Sequence, residues 1–303
     1  MSLTGPRDGG RRMGVTKVTP QSLLARKSDG AAITAITAYD YPSARLVDEA
    51  GIDVLLVGDS VGMAVLGYDD TLSVTVDDML HHARAVRRAV TRSMVVVDMP
   101  YGSYQVSVED TLRNGLRLVK EGGAEAVKLE GGRAMAERVR ALTEAEIPVV
   151  GHIGLTPQSV HRMGGYRVQG KTEVAAAKLM EDALALEEAG AIAVVLEGIP
   201  REVAARITER LAIPTIGIGA GPDCDGQILV LHDAFGLSFR KEPKFVRRFA
   251  DAGAVMRLGL EEFRAAVEAR TFPADAESYH VSAGVAANVA AEMVDALDGA
   301  GRR

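Results

Sequence analysis

A chain of 303 residues that is 47% hydrophobic and 25% charged can bury a sizeable core as one large α/β domain or two smaller ones. Its net charge of −6, with the basic residues scattered through helical stretches, excludes nucleic acid as the expected partner and points to small-molecule substrates. The single cysteine, Cys224, excludes an internal disulfide or a zinc–thiolate cluster. No segment reaches the roughly 20 apolar residues of a membrane span, and the amino terminus lacks the apolar stretch of a secretory signal, so a soluble cytoplasmic protein with no membrane partner is expected.

In chain order, residues 1–15 have no periodicity and are expected to form a flexible tail, after which residues 16–303 read as a single domain. A short helix is predicted from Thr19-Pro20-Gln21-Ser22. Strands are predicted at residues 33–37, 54–58, 94–97, 126–129, 148–152, 191–196, 214–218 and 227–231. Helical patterns separate them. Thr75 followed by Asp78 caps an apolar stripe of Met79, Ala83, Val86 and Val90, and Ser107 with Asp110 repeats the device before Leu112, Leu116 and Val119. Residues 171–189 and the stripe Val203, Ile207, Leu211 give two more helices, and residues 256–269 and 281–297 add helices after the last strand. This alternation predicts a (β/α)8 TIM barrel with an N-terminal helix and extra C-terminal helices. An open doubly wound sheet would carry Gly-x-Gly-x-x-Gly after the first strand, and none is there.

Chemistry in such a barrel belongs at the carboxyl ends of the strands. Three runs end in acids: Asp59 after the second, Asp98 after the third and Glu130 after the fourth. Oxygen ligands on one rim suit Mg²⁺. The competing readings are that Asp59 caps the next helix, whose first clear start is near Thr75, and that Asp98 holds turn amides in Met99-Pro100-Tyr101-Gly102. Lys128 and Glu130 flank Leu129, so period-two alternation points both to one face. Lys128 is then either a cation for a substrate carboxylate or half of a structural pair. Glu197 ends the sixth run and suits a general base or a buried salt-bridge partner. His152 ends the fifth run and fits either a satisfied core position or a pocket wall. His81 and His82 are expected on the surface of the Thr75 helix, and His161, His232 and His280 lack metal-ligand spacing. Gly217, Gly219 and Gly221 suggest a phosphate-cradling loop or close packing. Residues 156–172 are polar and glycine-containing and read as a mobile lid or an ordinary long loop.

Three strings are specific enough to carry a resemblance: ITAYDYPSARLVDEAGIDVLLVGDSVGM, GHIGLTPQSVHRMGGYRVQGKT and IGIGAGPDCDGQILVLHDAFGL. Over roughly residues 15 to 265 the chain resembles the ketopantoate hydroxymethyltransferase family. The resemblance implies a barrel of the phosphoenolpyruvate/pyruvate type and a Mg²⁺ ion. It implies transfer of a one-carbon unit from 5,10-methylenetetrahydrofolate to 3-methyl-2-oxobutanoate at the first step of pantothenate and coenzyme A synthesis. It also implies a homo-oligomer, often a decamer. Residue by residue, it assigns the metal to Asp59, Asp98 and Glu130, keto-acid contacts to Asp59, Ser60, Asp98 and Lys128, and the proton acceptor to Glu197. His152 would line the keto-acid pocket or position the one-carbon unit. Two alternatives stand beside this one. A Mg²⁺-dependent carbon–carbon lyase of the same barrel type would need extra Arg side chains for a second carboxylate, and a non-catalytic keto-acid sensor would not need Glu197.

Overall fold

The computed structural model describes residues 16–282 and 285, which divide between Ala250 and Asp251 into two compact units. In the first unit, Thr19 and Ser22 cap each other at the start of α1 (Pro20–Ser28), with Pro20 where a missing N–H costs nothing. The chain then runs β1 (Ile33–Thr37), α2 (Tyr41–Glu49), β2 (Val54–Val57), α3 (Val61–Ala64), α4 (Val76–Ala89), β3 (Met94–Asp98), α5 (Val108–Lys120) and β4 (Ala126–Glu130). It continues as α6 (Ala136–Glu144), β5 (Val149–Gly154), α7 (Val160–Met163), α8 (Glu173–Glu188), β6 (Ala193–Glu197), α9 (Arg201–Arg210), β7 (Thr215–Ile218), β8 (Gly226–Leu229) and α10 (Leu231–Ala234). Each strand pairs in parallel with the next, and β8 closes onto β1. The expected (β/α)8 barrel is present, and no strand end differs from its prediction by more than two residues.

Alternation sorts the strand residues into two layers. Val54, Leu56, Met94, Val96, Ala126, Val150, Ala193, Val195, Ile216 and Ile228 fill the interior, joined by Val18 and Leu23 from the amino-terminal segment. Leu55, Val95, Val127, Leu129, Val194 and Leu196 face outward and pack with Met79, Val86, Leu118, Leu142, Leu186 and Ile207 of the surrounding helices. Strands buried on both faces are continuously apolar, so a charged residue at an inward position stands out. Salt bridges from Arg26 to Asp53 (2.9 Å) and from Lys27 to Asp225 (2.8 Å) hold α1 at the amino-terminal mouth.

Two local expectations need correction. The first helix after β2 is not the one capped by Thr75 but α3, which starts two residues beyond Asp59. Its cap residue Ser60 makes no side-chain capping bond, so neither Asp59 nor Ser60 is consumed as a side-chain cap. In the second unit α11 (Ala252–Glu268) starts four residues before the predicted 256–269, because Asp251 caps it by accepting the Ala254 N–H at 3.0 Å. Except for Val281, Ser282 and Val285, the helix expected over 281–297 lies outside the described residues. Among the described residues no helix is long and apolar enough to cross a membrane.

Asp48, in the last turn of α2, ties down the segment that leads into β3. Its carboxylate accepts the N–H groups of Thr91 (2.9 Å), Arg92 (2.9 Å) and Ser93 (2.7 Å) and the Thr91 hydroxyl (2.8 Å). Burial alone would raise its pKa, but the Ser93, Thr91 and Arg92 bonds outweigh burial and bring it to about 2. We expect Asp48→Asn to cost about 1.5–3 kcal/mol at neutral pH, the range for hydrogen bonds to a charged group. A depressed carboxyl pKa stabilises the fold fully above the unfolded value of 3.8 and loses that contribution as pH falls toward about 2. Urea unfolding of both proteins should therefore show a gap that narrows over that window.

Candidate active site

The barrel's stagger assembles the carboxyl-end rim. Asp98 is level with Lys128, Glu130 with His152, and Gly154 with Glu197. Going from β3 to β6, each level lies two residues further along the strand, so all these positions keep inward parity. Gly154 has φ +95°, and a Cβ there would come within 2.2 Å of the Glu197 carbonyl oxygen, so only glycine leaves room for Glu197 to close the row.

Asp59 joins the row from the loop after β2. A Cβ at Gly58 would lie 2.7 Å from Ser60 Oγ and 3.3 Å from Asp98 Oδ2. Without one, the Asp59 N–H donates to Asp98 Oδ2 at 3.0 Å. Lys128 Nζ donates to Asp98 Oδ1 at 2.6 Å, an ion pair between neighbouring strands. Ser60 Oγ is 2.8 Å from the hydroxyl of buried Tyr39. His152 Nε2 lies 3.2 Å from Glu197 Oε2, and Nδ1 lies 3.6 Å from Glu130 Oε1. The rim thus brings together every residue that the sequence proposed for it: Asp59, Ser60, Asp98, Lys128, Glu130, His152 and Glu197.

Four carboxylates here face one ammonium group. Burial, followed by the charge of Asp98, pushes Asp59 up to about 7. Burial and then the Asp59 charge push Glu130 well above the usual carboxylate range. Burial opposes the charge on Lys128, yet Asp98, Glu130 and Asp59 together hold its pKa above the ordinary lysine value. Burial and Lys128 lower the pKa of His152, leaving a neutral ring with one N–H between two carboxylates. The Glu197 side chain, at 15% exposure, opens to solvent more than those of Asp98 and Glu130, at 4% each. Among the described residues no group of three or more His, Cys, Asp or Glu side chains is arranged to enclose a metal ion.

Three residues in contact with the row escaped the sequence reading. Gln158 Nε2 donates to Asp59 Oδ2 at 2.8 Å, Tyr104 OH accepts the Glu130 N–H at 3.1 Å, and Tyr39 holds Ser60. The signals were faint: Gln158 sits in a polar loop, and Tyr104 follows a Pro-Tyr-Gly turn. The segment 156–172 also differs from a plain loop, because it begins with a 3-10 turn (Pro157–Ser159) that buries Gln158 and continues into α7. Beside the row lies a cavity of about 580 Å³ lined by Glu130, Tyr104, Gln158, Met163 and Lys178 among others. His82 is half-buried rather than a surface residue, because its Nδ1 lies 2.7 Å from the Tyr39 carbonyl oxygen, whereas His81 is exposed. The glycines after β7 serve close packing: a Cβ on Gly219 would meet Phe245 at 2.6 Å, and one on Gly221 would meet Arg201 at 2.4 Å.

The family model for ketopantoate hydroxymethyltransferase matches residues 17–275. The chain is similar to 3-methyl-2-oxobutanoate hydroxymethyltransferase of Koribacter versatilis, with 59% identity over 88% of this chain and 90% of that protein. Its similarity to the enzyme of the same name from Geobacter metallireducens is 56% over 87% and 98%. Among solved structures it resembles phosphonopyruvate hydrolase (TM-score 0.56, 14% identity, 92% and 97% covered) and 2,3-dimethylmalate lyase (TM-score 0.53, 19% identity, 86% and 91% covered). At such identities the likeness is one of fold.

The crowding makes a stability prediction. An Asp whose folded pKa lies near 7 rather than 3.8 costs native stability as pH rises through that interval. In EDTA at pH 8, Asp59→Asn should therefore be more stable than the unsubstituted protein by on the order of 2–4 kcal/mol. Equilibrium urea unfolding should show that advantage vanishing as pH is lowered toward 4; a gap independent of pH would place the strain elsewhere.

Proposed function

The chain belongs to the ketopantoate hydroxymethyltransferase family, and we propose that the rim of β2 to β6 is where it transfers a hydroxymethyl group to 3-methyl-2-oxobutanoate, giving ketopantoate for pantothenate synthesis. The one-carbon donor in this reading is 5,10-methylenetetrahydrofolate. The observation that carries the site assignment is the excess of carboxylate at one rim, where Asp59, Asp98 and Glu130 crowd around Lys128 and Glu197 lies beside His152.

That donor set fits Mg²⁺. It offers hard oxygens and an uncompensated negative charge strong enough to displace Asp59 and Glu130 from their ordinary ionisation. A closed cage of three carboxylates is not needed, because Mg²⁺ keeps several waters and takes one or two carboxylates plus substrate. Asp59, Asp98 and Glu130 would hold it, directly or through its waters. When bound, the ion supplies a Lewis acid that polarises the keto oxygen and acidifies the neighbouring C–H.

The chain's own groups do the rest. Lys128, kept protonated by its neighbours, pairs with the carboxylate of the keto acid. Ser60, oriented by Tyr39, contacts the same substrate. Glu197 accepts the C3 proton. Water releases the one-carbon unit from the folate at the formaldehyde level, tetrahydrofolate leaving with the two water protons on its nitrogens. C3 adds to that carbon, whose oxygen, from the water, takes up a proton to become the hydroxyl. His152, 3.2 Å from Glu197, lines the keto-acid pocket beside that base. In line with the sequence resemblance, the working form is a cytoplasmic homo-oligomer, a decamer.

Purified protein given 3-methyl-2-oxobutanoate, methylenetetrahydrofolate and Mg²⁺ should form ketopantoate, lose that activity in EDTA and regain it on adding Mg²⁺. Absence of product overturns the reading, and undiminished turnover after exhaustive chelation removes the metal assignment. Without folate, the C3 hydrogen should exchange with solvent deuterium by proton NMR. Glu197→Gln should slow this exchange by roughly 10²–10⁴, the worth of a positioned base, and exchange at the unsubstituted rate would assign the base elsewhere.

A further inference from the structure

We infer that Gln158 is a positioning residue that grips one oxygen of Asp59 and one of Glu130 from outside the row, leaving their other oxygens to face the bound cation. The inference rests on the reading of those two carboxylates as metal ligands.

Gln158 is 7% exposed and lies at the centre of the 3-10 turn after β5. Its Nε2 donates to Asp59 Oδ2 (2.8 Å) and to the Met99 carbonyl (3.0 Å), while its Oε1 accepts from Tyr104 OH (2.6 Å) and Gln105 Nε2 (3.2 Å). Its backbone N–H donates to Glu130 Oε2 at 3.0 Å. The orientation of the carboxamide follows from its partners. The Met99 carbonyl can only accept, so the amide nitrogen faces it and Asp59; the Tyr104 hydroxyl accepts the Glu130 N–H, so its proton is available for Oε1. A single chain of bonds therefore runs from the Glu130 amide through Tyr104 and Gln158 to the Asp59 carboxylate. One residue touches acids carried by two different strand ends, β2 and β4, that are not neighbours in the sheet.

The chemistry of the position is restrictive. A glutamate would place another carboxylate against Asp59, an asparagine falls one methylene short, and an apolar side chain leaves Asp59 Oδ2 and the Met99 carbonyl without their donor. Groups that orient metal-binding carboxylates typically affect metal affinity by 10–100-fold. Gln158 also lines the neighbouring cavity together with Ser159, His161, Arg162 and Met163 of the same loop. A rearrangement of that loop would therefore be felt at both carboxylates.

The test is Mn²⁺ binding, followed by electron paramagnetic resonance on the full chain. Gln158→Met keeps the side-chain length and the backbone donor to Glu130. It should raise the Mn²⁺ dissociation constant 10–100-fold and shrink the Mn²⁺-induced rise in melting temperature. Each variant is compared with its own melting temperature in EDTA, which falls for the Met variant as its buried acceptors lose their donor. In turnover, KM for Mg²⁺ should rise while kcat at saturating Mg²⁺ stays within a few fold. If the Met variant fails to fold, Tyr104→Phe carries the test, with a several-fold loss of Mn²⁺ affinity expected. Undiminished Mn²⁺ affinity in a folded variant overturns this inference alone. Failure of the unsubstituted protein to bind Mn²⁺ overturns the metal reading and this inference with it.

Discussion

The constraint on which the rest of this site depends is the placement of Lys128 among carboxylates inside the barrel. An ammonium group at an inward position of a buried strand is tolerated only if anions meet it, and the parallel register puts Asp98 level with it at 2.6 Å. Two residues further along β4, Glu130 keeps the same parity and enters the same space. The pair is thus the seed around which further acids can be buried. It cannot neutralise them all, and the surplus shows in the upward displacement of Asp59 and Glu130. Groups so displaced are costly to the fold, and such clusters of displaced carboxylates mark candidate functional sites.

Much of this could be read from the sequence because it follows from two periodicities. The apolar runs ending in Asp98 and Glu130 are short, β-branched and spaced by amphipathic helices, which leaves little but a parallel barrel. Lys128 and Glu130 share a face whatever the register, so alternation alone placed them together. Capping chemistry was equally explicit: Thr75 with Asp78 and Ser107 with Asp110 cap α4 and α5 as their spacing implies.

What escaped depends on contacts between distant parts of the chain. Gln158 is polar, lies in a polar loop and has no periodic partner; its burial arises only when the turn after β5 folds onto strand ends nearly 30 and 100 residues earlier. Tyr104 and Tyr39 were hidden differently, since an aromatic in an apolar setting reads as core until its hydroxyl is seen to meet Ser60 or Gln158. The glycines after β7 misled in the opposite sense. A Gly-rich turn suggests an anion cradle, but Phe245 and Arg201 occupy the space that side chains at Gly219 and Gly221 would need. Sequence shows where backbone freedom is required and is silent on what uses it.

The two mouths of the barrel differ in charge balance. At the amino-terminal mouth Asp53 meets Arg26 and Arg92, Asp225 meets Lys27, and Glu125 meets Lys17. At the carboxyl mouth Asp59, Asp98 and Glu130 crowd around Lys128. Asp53 and Asp59 stand just before and just after the same short strand, β2, and their environments drive them in opposite directions. Burial works against the charge of Asp53, but the Thr34 and Arg92 bonds bring its pKa below the ordinary value, whereas burial and Asp98 lift Asp59. Both are aspartates of low exposure in the same fold, so residue type does not distinguish them. Their charged partners do: Asp53 pairs with Arg26 and Arg92, whereas at Asp59 the charge of Asp98 outweighs that of Lys128.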